Sequence, residues 1–303
     1  MSRTQSARSA HPNSSRLTPT ILGWSAVVLV LVIVAVLVIV KVAGGNGPTT
    51  SSHQAVLPAS PQLVHEVSSV PASVFNQIGI DIPPAFAGTA PIVIAGQKPL
   101  TLDGITPSIV YYGAEFCPYC AAERWAIVVA LARFGTWHGL QTTASGLLDG
   151  DFSTFSFRSA TLQSRYVHFV PIEACTNKPD PHAVGCNGYG DLQMPTKAEQ
   201  AVLSKYGSAT FVPGNTDGIS FPYIDIDNRV LFSGSTYEPT ILTSLSQVEI
   251  AGMLTDPTNL VSKSIVGTAN YIAAGVCSGT GGMPSSVCMS PGVRSASKAM
   301  KLG

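Results

Sequence analysis

Apolar and polar positions change their period several times along this chain, and each change marks an element. Ile21 to Val40 has no period: it is an unbroken uncharged run, mostly Val, Leu and Ile, of about the 20 residues a helix needs to span a bilayer. Residues 43–63, rich in Gly, Pro, Ser and Thr near their start, predict a flexible stalk. Val67, Val70, Val74 and Ile78 then recur at helical spacing, interrupted by Pro71. Ile92 to Ala95 predicts a short strand, Asp103-Gly104 a turn, and Ser108 to Tyr112 a buried strand. From Ala121 to Phe134 the apolar period becomes that of a helix.

Beyond that helix, Leu140 to Ser145 alternates weakly and predicts a strand parallel to the central one after a helical crossover. Tyr166 to Ile172 predicts another, in which His168 reads as a packed or edge residue rather than a ligand. Cys175 to Pro195, full of Pro, Gly and Asn, predicts a loop, and His182 inside it has no second histidine nearby. Thr196 with Glu199, and Ser246 with Glu249, have the spacing of capping boxes that open helices. Between them, two strands flank Asp227-Asn228, a hairpin turn. Asp256-Pro257 is expected to cap a last helix running to about Ala274, and residues 294–303, small and basic, to be disordered. Strands alternating with helices make the class α/β.

Charge orients the apolar run. Arg3, Arg8 and Arg16 precede it, whereas every Asp and Glu follows it, so residues 1–20 are expected in the cytoplasm and the bulk of the chain outside. Trp24 lies at the interface level. Val42-Ala43-Gly44-Gly45 could pass for a signal-peptide cleavage site, but the run exceeds the usual 7–15-residue core. The reading is a single-pass anchor at 21–42, buried in the lipid bilayer, and an extracytoplasmic domain at 64–293. With 17 basic and 17 acidic residues, nucleic acid is a poor candidate partner. All six cysteines fall on the outer side, where disulfides persist. Six allow fifteen connectivities; the equal spacing of Cys175 with Cys186 and of Cys277 with Cys288 suggests two structural closures, each contributing roughly 2–3 kcal/mol.

The remaining pair, Cys117-Pro118-Tyr119-Cys120, stands where the buried strand gives way to the helix. Pro118 suits a first helical position, which makes Cys117 the N-cap. Unpaired N–H groups and the helix dipole there stabilise a thiolate, and such placements lower a thiol pKa from about 8.5 to about 3.5–7.5. Cys120, one turn in, would stay a buried thiol, placed to resolve a mixed disulfide at Cys117. A zinc site would need a second ligand pair, and the other four cysteines form no further Cys-x-x-Cys.

A strand, Ala114-Glu115-Phe116-Cys117-x-x-Cys120 at a helix start, an insertion, then Phe221-Pro222 before a strand–turn–strand and a closing helix resemble the thioredoxin fold superfamily. The resemblance implies a central mixed sheet, an insertion at about 146–215, a cis Pro222 beside the redox pair, and Phe221 offering backbone to an extended substrate. Cys-Pro-Tyr-Cys is similar to the glutaredoxin motif. Gly113 to Trp125, Tyr166 to Glu173 and the Cys277/Cys288 pair together resemble a family of uncharacterised prokaryotic, membrane-tethered thioredoxin-like proteins. Tyr111 departs from thioredoxins, which carry a proton-accepting Asp there; the Cys120 proton is then expected to go to Glu115, Glu123 or water.

The expected function is thiol–disulfide exchange at Cys117 and Cys120 with no cofactor, leaning to disulfide formation or isomerisation. Pro118, Tyr119 and Phe221 would meet protein thiol or disulfide substrates, and a membrane electron-transfer partner would recycle the pair. Trp125 is expected in the core. The alternatives are a copper carrier using Cys117, Cys120 and His168, and a redox-inactive envelope scaffold.

Overall fold

The computed structural model describes residues 55–216 and 218–302, so the 1–20 tail, the 21–42 anchor and residues 43–54 of the stalk lie outside the described residues. Among the described residues no helix is long and apolar enough to cross a membrane. In chain order the elements are β1 (Leu57–Pro58), α1 (Pro61–Ser68), α2 (Ala72–Ile78), β2 (Ile92–Val93), β3 (Ser108–Gly113), α3 (Pro118–Leu131), β4 (Thr136–His138), β5 (Gln141–Ala144), β6 (Ser153–Ser156), β7 (Thr161–Gln163), β8 (His168–Glu173), β9 (Cys175–Pro179), β10 (Tyr189–Asp191), α4 (Lys197–Tyr206), β11 (Tyr223–Ile226), β12 (Val230–Ser233), α5 (Gln247–Met253), α6 (Leu260–Gly279), α7 (Ser285–Cys288) and α8 (Pro291–Met300).

The class is α/β with a mixed central sheet of five strands, in the order β2-β12-β11-β3-β8. β3 and β8 run parallel, with Ser108 beside His168 and Gly113 beside Glu173. β11 runs antiparallel to both β3 and β12. Both faces of this sheet are covered, which is why β3 reads as a continuous apolar run rather than an alternating one. Ile109, Tyr111, Ile224 and Ile226 enter a core built with α3 and α6. Val110, Ile172, Tyr223 and Leu231 enter a second core with Val202, Leu203 and Tyr206 of α4.

Several elements differ from the expectation. Leu140 to Ser145 is not the parallel neighbour of β3. β5 instead joins β1 and β6 in a small antiparallel sheet, and β8 takes the place beside β3. Gln141, Thr142 and Thr143 are too polar for a strand covered on both faces. The stalk expected to reach residue 63 ends earlier, because Leu57 and Pro58 pair with β5 and Ser60 caps α1 at the Leu63 N–H. The Cys175–Pro195 loop contains a hairpin, β9 with β10.

Asn259, not Asp256, caps α6, its side chain accepting from Val261 and Ser262; Asp256 closes the preceding turn at Thr258. α6 continues past Ala274 to Gly279. Residues 291–300 form a helix instead of a disordered tail. Pro291 starts it, and Val293 and Ala296, three apart, bury one face.

Candidate redox site

The C-terminal end of β3, the start of α3 and the end of β8 meet at one edge of the sheet, and the cysteine motif sits there. Cys117 is extended (φ −69°, ψ 125°) and caps α3 with its sulfur, which accepts from the Cys120 N–H at 3.2 Å. Pro118 occupies the first helical turn, where no N–H is needed. Both thiols are free and buried, while Tyr119 between them is 45% exposed. The Phe221-Pro222 peptide bond is cis. Phe221 packs into the same apolar cluster as Cys117 and forms a wall shared by two open clefts. Tyr119, Ser220 and Glu238 line one of them; Tyr112, Leu203 and Asn215 are among the residues lining the other or both.

The two sulfurs differ in their electrostatics. Burial pushes the Cys117 thiol up, but hydrogen bonds from the Cys120 thiol and amide and the charge of Arg124 pull it below the ordinary thiol value. Burial and the neighbouring Cys117 sulfur hold Cys120 well above it. One sulfur favoured as thiolate beside a second kept protonated is the division of labour that attack and resolution at a disulfide require.

Beneath them lies an ion pair that sequence reasoning did not single out. Arg124 Nε and Nη2 donate to the two Glu173 carboxylate oxygens at 2.9 and 2.7 Å, and Nη2 also donates to the Ala114 carbonyl. Neither side chain is exposed. Arg124 is four residues after Cys120, hence on the same helix face; that spacing is the signal that could have found it. Its guanidinium carbon lies 5.9 Å from the Tyr111 ring centroid. The buried Tyr111 hydroxyl has no hydrogen-bond partner among the described residues. A Cβ on Gly113 would collide with that hydroxyl and stand 3.1 Å from Cys120 Sγ, so the absent side chain lets the two groups face each other.

The carboxylates named as proton acceptors for Cys120 each have polar partners of their own. Glu115 accepts from Ser156 at 2.7 Å and Arg158 at 2.8 Å. Glu123 Oε2 accepts from the Thr236 N–H and the Ser235 and Thr236 hydroxyls. Trp125 is core, donating to the Ser153 carbonyl at 2.9 Å and packing edge-on against Phe155.

His168 is not brought to the cysteines. It lies opposite Ser108 at the other end of β3, five residues and about 17 Å of strand from Gly113. Among the described residues no three of His, Cys, Asp and Glu gather as metal ligands. Cys175 is bonded to Cys186 and Cys277 to Cys288, each across a separation of 11. The first of these disulfides packs in the cluster that holds Cys117 and Cys120, and the second in the main core.

Residues 94–278 match the model of a family described as a domain of unknown function, DUF929, so the match covers the central sheet from β3 onward, the cysteine motif and most of α6. No curated protein and no solved structure matches the chain.

Proposed function

We propose that this chain, which belongs to the DUF929 family, is a membrane-anchored, extracytoplasmic thiol–disulfide oxidoreductase with a thioredoxin-like domain. The order strand, redox helix, parallel strand, then cis-proline hairpin and closing helix supports the thioredoxin-like reading. The observation that carries the activity is Cys117 at the N-cap of α3, depressed in pKa, beside a protonated Cys120. The anchor and its orientation rest on the Ile21–Val40 run and the arginines before it.

In the proposed reaction the Cys117 thiolate attacks one sulfur of a protein disulfide, the other sulfur leaves as a thiolate, and a mixed disulfide forms. Cys120 then loses its proton and displaces the substrate sulfur from Cys117, closing the Cys117–Cys120 disulfide. Run backwards, the same steps oxidise a substrate dithiol. Stabilising the Cys117 thiolate favours the dithiol form over the disulfide and makes that disulfide the better oxidant. The favoured direction is therefore disulfide formation or isomerisation, with a membrane electron-transfer partner reoxidising the pair. Tyr119 and Phe221 border the cleft where an extended substrate would lie. A copper carrier built on His168 is disfavoured by that residue's place at the opposite end of β3.

Trapping with Cys120→Ala in cells tests the reading. Substrates should accumulate as disulfides to Cys117 and disappear in a Cys117→Ser, Cys120→Ala double variant. Normal expression of Cys120→Ala with no trapped species, together with no Cys117-dependent oxidation of a peptide dithiol, would rule it out and leave the redox-inactive scaffold.

A further inference from the structure

The chain's two disulfides close loops of the same length but have different neighbours. Cys277–Cys288 packs among aliphatic and aromatic side chains of the main core. Cys175–Cys186 belongs instead to a small apolar cluster whose buried members are Ala114, Phe116, Cys117, Cys120, Cys175 and Tyr189. Four of the protein's six cysteines thus gather in one small, mostly water-excluded patch.

Backbone pairing explains the juxtaposition. Gly113 and Glu173 are register partners at the ends of β3 and β8, so both chains emerge side by side. The Ala174 N–H donates to the Gly113 carbonyl at 2.7 Å, and the Glu115 N–H to the Cys175 carbonyl at 2.9 Å. The segment carrying Cys186 is held down as well. Phe116, immediately before Cys117, stacks on Tyr189, three residues after Cys186, with centroids 4.4 Å apart and planes 2° from parallel. The Tyr189 hydroxyl is in turn bonded to Asp149. Cys175 is buried, whereas Cys186 is partly exposed.

We infer that Cys175–Cys186 is a second redox pair, which exchanges electrons intramolecularly with Cys117/Cys120. This rests on the exchange chemistry proposed above. The Cys117 thiolate attacks a sulfur of the Cys175–Cys186 bond, and the displaced sulfur leaves as a thiolate and takes up a proton. Cys120, giving up its proton, then attacks Cys117 and releases the second sulfur. The Cys117/Cys120 dithiol is oxidised to a disulfide, the Cys175–Cys186 disulfide is reduced to a dithiol, and two electrons move without any external reagent. Confinement in one cluster supplies the high effective concentration that favours such a step over collision with a second molecule. The relay would connect the buried site to the partly exposed Cys186.

Cys277–Cys288, equal in loop length and outside the cluster, is the internal control. The full chain with its disulfides formed is treated with dithiothreitol at several concentrations, quenched in acid, alkylated and mapped by peptide mass spectrometry. In the wild type, Cys175–Cys186 should be reduced at least tenfold faster than in Cys117→Ser. Its rate should level off as dithiothreitol rises and stay unchanged on tenfold dilution of the protein. Cys277–Cys288 should be reduced at the same rate in both, which also reports that the variant is folded. Equal reduction of Cys175–Cys186 in the two proteins overturns the relay. If the same wild-type sample still oxidises a peptide dithiol through Cys117, the oxidoreductase reading survives that result; if it does not, both fall.

Discussion

Arg124 and Glu173 form a bidentate ion pair with no exposure to solvent, one turn of helix below Cys120. Glu173 also accepts from the Phe157 N–H, so the pair joins α3, β8 and the segment after β6. Removing the cation leaves a buried carboxylate without its partner. Arg124→Gln is expected to lower stability by about 3–5 kcal/mol, read from denaturant unfolding. It should also raise the Cys117 pKa, since the guanidinium charge is one of the influences that depress it. Alkylation rate against pH measures that directly. Arg124→Lys keeps a charge but not the fork, and should recover more of the Cys117 ionisation than of the stability. A Cys117 titration unmoved by Arg124→Gln would remove Arg124 from the site.

Gly113 yields a second prediction. Its backbone needs no special conformation, so only space restricts it. A Cβ there meets the Tyr111 ring and hydroxyl and approaches Cys120 Sγ. Gly113→Ala should therefore cost about 1–3 kcal/mol through overpacking. Tyr111→Phe alone removes an unpartnered buried hydroxyl and should leave stability unchanged or raise it by up to about 1 kcal/mol. The double variant should recover part of the alanine cost, because the ring carbon remains in the way. Strict additivity in such a cycle would show that the two positions do not touch.

Loss of the Cys277–Cys288 disulfide should separate stability from site chemistry. Cys277→Ser with Cys288→Ser releases a closure between α6 and α7 and should cost about 2–3 kcal/mol. The bond lies in the main core, outside the Cys117 cluster, so the alkylation pKa of Cys117 should not move. A shift there would mean that the two regions are coupled.

What the sequence made legible follows a physical division. Local signals were readable: Pro118 after Cys117, the Thr196 and Ser246 capping boxes, and the Asp227-Asn228 turn act within four residues and appear where expected. Pairing between distant segments was not. The weak alternation of Leu140 to Ser145 does not say which strand it joins, and the choice went to β1 and β6 because β8 presents Phe169, Val170 and Ile172 to the cores. The Arg124–Glu173 pair was hidden for the same reason, since its partners are 49 residues apart. Composition hides the C-terminal helix: its basic residues are solvated while Val293 and Ala296 face inward.

Glu123 gives the protein a specific pH dependence. It is fully buried one turn after Cys120, and burial raises its carboxyl from 4.5 to about 7, only partly offset by hydrogen bonds from Thr236 and Ser235. Its second oxygen has no hydrogen-bond partner among the described residues. The group binds its proton more tightly folded than unfolded, so its contribution is most favourable below about pH 4.5, falls as the pH rises to about 7, and is constant above. Asp225, raised by burial from 3.8 to about 7, acts in the same sense. Glu123→Gln keeps a neutral group of the same shape at every pH. The variant should match the wild type near pH 4.5 and exceed its stability by ~1–3 kcal/mol at pH 8. The residual slope of the variant's curve would then belong to the other carboxyls that burial raises, Asp225 with Glu115 and Asp227, and an Asp225→Asn second substitution should flatten it further. Denaturant unfolding across pH 4.5 to 8 is the measurement; wild-type and Glu123→Gln curves that run parallel would mean that Glu123 ionises no differently in the folded and unfolded chain.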